Sequence, residues 1–139
     1  MNSFNFVNYQ TILDNTVEPD FTFDVVGHVF RLFDLMTYPG KEKDKLKQIM
    51  ILEDLSGLKM YVTLWDDYAK EVVDYVSNNP DYPCLIIIIQ CARAKYFKGH
   101  YHVNNTVGGT KLFINKDISN TLMGCLTLIR ITYLLQTIV

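Results

Sequence analysis

Residues 58–65 alternate strictly: Met60, Val62 and Leu64 share one parity, and Lys59, Tyr61, Thr63 and Trp65 share the other. Period two of this quality predicts a strand with one buried side. Four other apolar, strand-like stretches surround it. Residues 21–35 draw their character from Val25, Val26, Val29 and Leu32, and end before the Tyr38-Pro39-Gly40 turn and a lysine-rich loop. Residues 46–52 stop at Asp54-Leu55-Ser56-Gly57, a tight turn in which Gly57 can take positive φ. A run of isoleucines at 86–89 is apolar on both faces, so both sides are expected to be covered. From there the pattern switches to alternation, with Cys91, Arg93, Lys95 and Phe97 on one parity against Ala92, Ala94 and Tyr96. Lys98-Gly99 turns the chain into a returning strand at 101–107, and Gly108-Gly109 precede a short apolar stretch at 110–114.

Between the third and fourth strands Tyr68, Ala69, Val72, Val73 and Val76 recur at spacings of three and four. That is a helix, with Asp66 or Asp67 at its N-terminus and Ser77-Asn78-Asn79-Pro80 ending it. The order is strand, strand, strand, helix, strand, strand. Connections near 50–60 and 97–100 are short enough only for antiparallel hairpins. A closed small barrel satisfies this count, because closure buries one face of each strand and removes free edges. The predicted fold class is therefore all-β, a five-stranded OB-fold barrel with a helix between strands three and four. An open α+β sandwich is the alternative.

The chain has 139 residues, enough for one domain of ordinary size. Thirteen Lys and Arg against fifteen Asp and Glu leave a formal charge of -2. A disordered acidic tail, a histone-like polycation and a collagen-like rod are excluded. The near balance hides a division by segment. Residues 53–81 hold seven acids against Lys59 and Lys70, whereas residues 84–116 hold Arg93, Lys95, Lys98, Lys111 and Lys116 and no acid. An electropositive face on an otherwise acidic protein fits this, and so do scattered lysines that keep strand faces soluble.

Cys84, Cys91 and Cys125 are odd in number and lack paired spacing, and His28, His100 and His102 are too few for a metal site. Neither a disulfide scaffold, a metal centre nor a cofactor is expected. No basic segment with a following apolar run opens the chain, which predicts a reduced intracellular compartment. Catalytic signatures are missing as well. Gly108-Gly109 has neither the lysine nor the helix of a phosphate loop, and Asp66-Asp67 suits a helix N-terminus better than a metal. Cys91 with His100 or His102 has no orienting partner. No enzyme is expected.

A binding surface is better supported. Trp65 and Phe97 end their strands just before a turn, and their parity companions are Lys59, Tyr61 and Thr63 in one case, Arg93 and Lys95 in the other. Rings flanked by cations hold single-stranded nucleic acid by stacking bases and pairing phosphates. A core tryptophan capping one barrel end is the plainer reading of Trp65.

Three segments, IMILEDLSGLKMYVTLWDDYAKEV (49–72), LIIIIQCARAKYFKGH (85–100) and TKLFINKDI (110–118), resemble the second single-stranded-DNA-binding OB domain of the replication protein A large subunit. The similarity is greatest to plant-type and transposon-encoded paralogues, and covers residues 4 to about 118. The opening FNFVNYQTIL…DFTFDVVGHV resembles the connecting segment and first strand of that domain. The resemblance implies binding of single-stranded DNA with little sequence preference, in a nuclear complex serving replication, repair and recombination. It implies that Trp65 and Phe97 stack on bases and that Arg93 contacts the backbone. Lys95 and Lys98 are expected at phosphates by face and loop position, and His100 stands where the family often has a basic residue. Tyr38 to Lys47 matches a loop that clasps the strand, with Lys43 and Lys45 among its lysines. Stacking platforms accept either sugar, so RNA stays open beside DNA. Other replication protein A subunits are the implied protein partners.

The chain stops where the large subunit would continue into further modules, which predicts weak binding by one isolated domain. Residues 1–118 are expected to form the OB domain and residues 119–139 an apolar extension, helix or strand. From Leu122 onward Arg130 is the only charge. Burial or self-association through residues 122–139 is expected; a membrane anchor is disfavoured by Arg130 and by the lack of a following basic cluster. A protein-interaction or oligomerisation module that has lost DNA binding is the alternative function.

Overall fold

A computed structural model describes residues 4–14, 21–54, 56–80 and 84–115. The apolar extension at 119–139, with the self-association expected of it, and Lys116 lie outside the described residues. The elements are α1 (Tyr9–Leu13), β1 (Phe23–Leu32), β2 (Met36–Tyr38), β3 (Lys45–Glu53), β4 (Lys59–Trp65), α2 (Asp67–Asn78), β5 (Ile86–Phe97), β6 (His100–Asn105) and β7 (Lys111–Ile114).

Strands β1, β3, β4, β6 and β5 pair in that order, and β1 pairs again with β5. The sheet thus closes on itself as a five-stranded OB-fold barrel, with α2 inserted between β4 and β5 as the pattern predicts. The β3–β4 and β5–β6 connections are antiparallel hairpins. Closure comes from a parallel pairing of β4 with β6, Val62 against Val103 and Thr63 against Asn104. The two longest strands are shared along their length, β1 between two neighbours and β5 among β1, β6 and β7. β1 pairs with β5 through Phe23–His28 and with β3 through His28–Leu32, with a register shift between Val29 and Arg31.

The hairpin turns follow from their residues. Gly57 takes φ 90°, and Asp54 Oδ1 accepts the backbone N–H groups of Ser56 (2.9 Å) and Leu58 (3.0 Å). Lys98 and Gly99 both take positive φ, 50° and 84°. Two consecutive left-handed residues match the right-handed twist of the strands they join.

The barrel interior holds the β4 residues Met60, Val62 and Leu64, all within 1% exposure, with Val25, Met50, Leu52, Ile87, Ile89, Ala92 and Val103. The predicted parity of β4 is therefore the observed one. The isoleucine run is covered on both sides: a second cluster joins Ile86 to Phe6, Val26 and Cys84, with Phe4 and Ile88 packed against it. Phe4 stacks on Phe6 at 5.0 Å and meets Phe113 edge-on at 5.5 Å.

The change of pattern after Gln90 marks a bulge. Phe23 pairs with Ala92 but Val25 pairs with Ile89, so β5 carries an extra residue, and Cys91 takes φ 60°. Buried Asp24 accepts the Cys91 N–H at 2.9 Å and the Asn5 N–H at 2.6 Å.

Several boundaries differ from the expectation. β1 stops at Leu32, short of residue 35, and beyond that stretch a separate strand, β2, pairs with β3, Met36 against Lys47. The loop expected at Tyr38 to Lys47 spans only residues 39–44, since Lys45 begins β3. β6 ends at Asn105 rather than at 107. Asp66 stands at the head of α2 without capping it; its carboxylate accepts the Leu46 N–H instead (3.1 Å). Helix α1 was not expected. Asn8 caps it through Thr11 N–H, and Tyr9 and Ile12 enter the barrel core at 0% exposure. Among the described residues Cys91 is free.

Candidate nucleic-acid interface

The polar parity of β4 faces outward and floors a groove of about 820 Å³. Tyr61, Thr63 and Trp65 from β4, Lys47 and Ile49 from β3, Lys95 from β5, and His102 and Asn104 from β6 line it. Phe33, Asp34 and Met36, around the connection from β1 to β2, complete one wall. Alternation alone assembles this surface, because every second side chain of four adjacent strands points away from the barrel.

Trp65 is half-buried at one end of the groove. Three contacts fix it there. Its N–H donates to Asn105 Oδ1 at 2.7 Å, its Cα partner across the ladder is Lys47, and the next residue is tied to β3 by the Asp66 N–H donating to the Leu46 carbonyl at 2.9 Å. The Lys47 ammonium lies 5.3 Å from the Trp65 ring centroid and 5.5 Å from that of Tyr38, and the two rings are 6.4 Å apart. A cation beside two rings can offer stacking area and a phosphate partner at the same point. Trp65 is thus no core plug: α1 and the interior parity fill the barrel, and the indole lines an open surface.

The β5–β6 register brings Lys95 opposite His102 and Arg93 opposite Asn104. Lys95, His102 and Asn104 all line the groove, and Arg93 is exposed on the same parity as Lys95. Phe97 ends β5 opposite His100, with Lys98 in the turn between them; the Phe97 side chain lies outside the described part. Extending the β4–β6 register places His100 level with Lys59. The hairpin and Trp65 therefore stand about 20 Å apart along the strands, at six residues of strand rise.

Lys43 and Lys45 are not in this groove. They line a neighbouring recess of about 650 Å³ with Pro39, Gly40, Lys41, Glu42 and Asp66. It adjoins the Trp65 end through Asp66, so the lysine loop borders the groove rather than flooring it.

The pattern of the sequence does not single out Phe33, Lys47, Asn104 or His102 as groove residues. Tyr61 was visible as a parity companion of Trp65, and Lys47 as one lysine of the loop. The signal for His102 and Asn104 is their shared parity on a strand whose other parity carries buried Val103. Phe33 had no signal, because its place depends on the break between β1 and β2. Lys59 is engaged elsewhere, 3.2 Å from Glu53 Oε2 and 4.5 Å from the Phe30 ring centroid.

Among the described residues no three His, Cys, Asp or Glu side chains gather as a metal site. Cys91 faces neither histidine: Ala92 pairs with Asn105, and His102 and His100 pair with Lys95 and Phe97. Among the described residues no helix is long and apolar enough to cross a membrane.

No family model matches the chain, and no curated protein does. Solved structures do match in fold. A replication protein A heterotrimer bound to single-stranded DNA contains a chain that superposes with a TM-score of 0.70 at 16% identity. The match covers 95% of this chain but only 28% of that one. The second OB-fold domain of replication protein A from Methanococcus maripaludis gives 0.53 at 12% identity, covering 81% and 96% of the two chains. A replication factor A related protein from Methanobacterium thermoautotrophicum gives 0.54 at 14%, covering 70% and 84%. The fold is that of these OB domains.

Proposed function

We propose that this OB domain binds single-stranded DNA with little sequence preference, through stacking on Trp65 and Phe97 and phosphate contacts from Lys/Arg. The observation that carries the reading is Trp65 at the groove end with Lys47 above its ring and Lys95 along the same groove. Stacking contributes about 1–3 kcal/mol per base and tolerates any base, since each has a π-face. Arg93, Lys95, Lys98 and His100 stand on or beside the β5–β6 hairpin, where a strand leaving the groove would meet them. Lys43 and Lys45 border its other end. The fold-level likeness to a DNA-bound replication protein A chain agrees with this reading, and suggests a nuclear role in replication, repair or recombination beside other replication protein A subunits. RNA would meet the same platforms.

Fluorescence anisotropy with a labelled oligothymidine, at low and physiological salt, tests the proposal. Salt-sensitive binding that collapses in Trp65→Ala combined with Phe97→Ala is the expected result. No salt-sensitive binding, or binding unchanged by the two substitutions, would refute it, and no binding at all would favour a protein-interaction module that has lost DNA binding.

A further inference from the structure

Trp65 and the β5–β6 hairpin stand at opposite ends of the groove, and the middle is not bare. Tyr61, two strand steps before Trp65 on the same face, is 47% exposed at the centre of β4. Rings from two other elements flank it. Phe33, from the β1–β2 connection, lies 6.4 Å away with the ring planes only 22° apart. His102, from β6, lies 5.8 Å away on the other side. Each end of this row carries a cation: the Arg31 guanidinium is 4.5 Å from the Phe33 centroid, and Lys95 is the ladder partner of His102. Among the described residues Asp34 is the only acid lining the groove.

A tyrosine at a strand centre exposes an apolar face that costs stabilisation unless something covers it. The flanking rings cover its edges and leave the groove side open. We infer that Phe33, Tyr61 and His102 form a third base-stacking position midway along the groove, with Arg31 and Lys95 meeting the phosphates on either side. The inference rests on the single-stranded-DNA reading and extends it. An uncharged planar ring fits the platform, and anionic linkages on both sides fit the two cations; a nucleobase within a strand satisfies both requirements. Tyr61 is about 13 Å from Trp65 along the strand, so its base would bridge the otherwise empty stretch towards the hairpin.

The test compares anisotropy titrations of the full chain with an oligothymidine and with an abasic deoxyribose-phosphate oligomer of equal length. Tyr61→Ala is expected to weaken oligothymidine binding by about 5- to 100-fold while abasic binding changes less than about twofold. Tyr61→Phe, which keeps the ring, should bind as the parent does. Tyr61→Thr, a strong strand former, serves if the alanine variant folds poorly, and the same loss is expected. An unchanged preference for oligothymidine in Tyr61→Ala or Tyr61→Thr, beside a reduced preference in Trp65→Ala, would overturn the third position and leave the binding function standing. No preference for bases in the parent protein would overturn both.

Discussion

Gly27 of β1 touches the packing that closes the barrel, and replacing it with alanine gives a sharp test of that packing. A Cβ at Gly27 would overlap the Tyr9 hydroxyl and lie 3.2 Å from both the Glu53 carbonyl and Leu52 Cβ. The hydroxyl cannot easily retreat, because it donates to the Val26 carbonyl at 2.8 Å and Tyr9 is fully buried. Overpacking of this kind costs about 1–3 kcal/mol, and a hydrogen bond lost with it adds about 1 kcal/mol. Gly27→Ala should therefore lower unfolding stability by about 2–4 kcal/mol in urea. Because the worst overlap is with a hydroxyl, Tyr9→Phe should relieve it. Alone, Tyr9→Phe should cost about 1 kcal/mol, and Gly27→Ala in its presence should cost about 1 kcal/mol or less, from the remaining tight contacts. The expected coupling is about 1–3 kcal/mol of non-additivity. Additive costs, or a neutral Gly27→Ala, would refute the seating of α1 against β1.

Arg93→Ala and Lys95→Ala, if each removes one phosphate contact, should each reduce the slope of log K against log salt by about 0.7, read from binding titrations across salt. Asp24→Asn leaves two backbone donors, Asn5 N–H and Cys91 N–H, facing a side chain with one fewer acceptor. It should cost about 1–3 kcal/mol in urea unfolding. Partial desolvation raises the Glu71 carboxyl above its ordinary pKa. The folded state then holds that proton more tightly than the unfolded one, so the ionised group penalises folding. The penalty grows as pH rises from the unfolded pKa through the folded one and is absent below both. Glu71→Gln should stabilise slightly at neutral pH, with the gain vanishing in acid; Glu71 is exposed, so the effect is small.

Where one side of a strand is buried and the other is wet, the chain states its own geometry. β4 is the clearest case: Met60, Val62 and Leu64 inside and Tyr61 and Trp65 outside followed from alternation alone, and α2 from its three-and-four spacing. The groove's β4 and β5 walls were legible for the same reason. What was not legible depends on contacts remote in sequence. Helix α1 is five residues long, too short for periodicity to register, and is held by Tyr9 and Ile12 within a barrel built from other segments. The break between β1 and β2, which delivers Phe33, is set by separate pairing to β3, and a lone Asp34 between Phe33 and Leu35 is a weak turn signal. Asp66 looked like a helix cap by type and position, yet its carboxylate serves the Leu46 N–H, a partner 20 residues away.

Trp65 is the only tryptophan of the chain, so its fluorescence reports on one position of the groove. Titrating oligothymidine into the intact protein while following tryptophan emission reads base stacking on Trp65 itself. Saturable quenching that weakens as salt is raised, with the Lys95→Ala variant saturating at higher DNA concentration, is the result expected. Emission unchanged by DNA at low salt would contradict stacking on Trp65, and with it the groove's assignment as the binding surface.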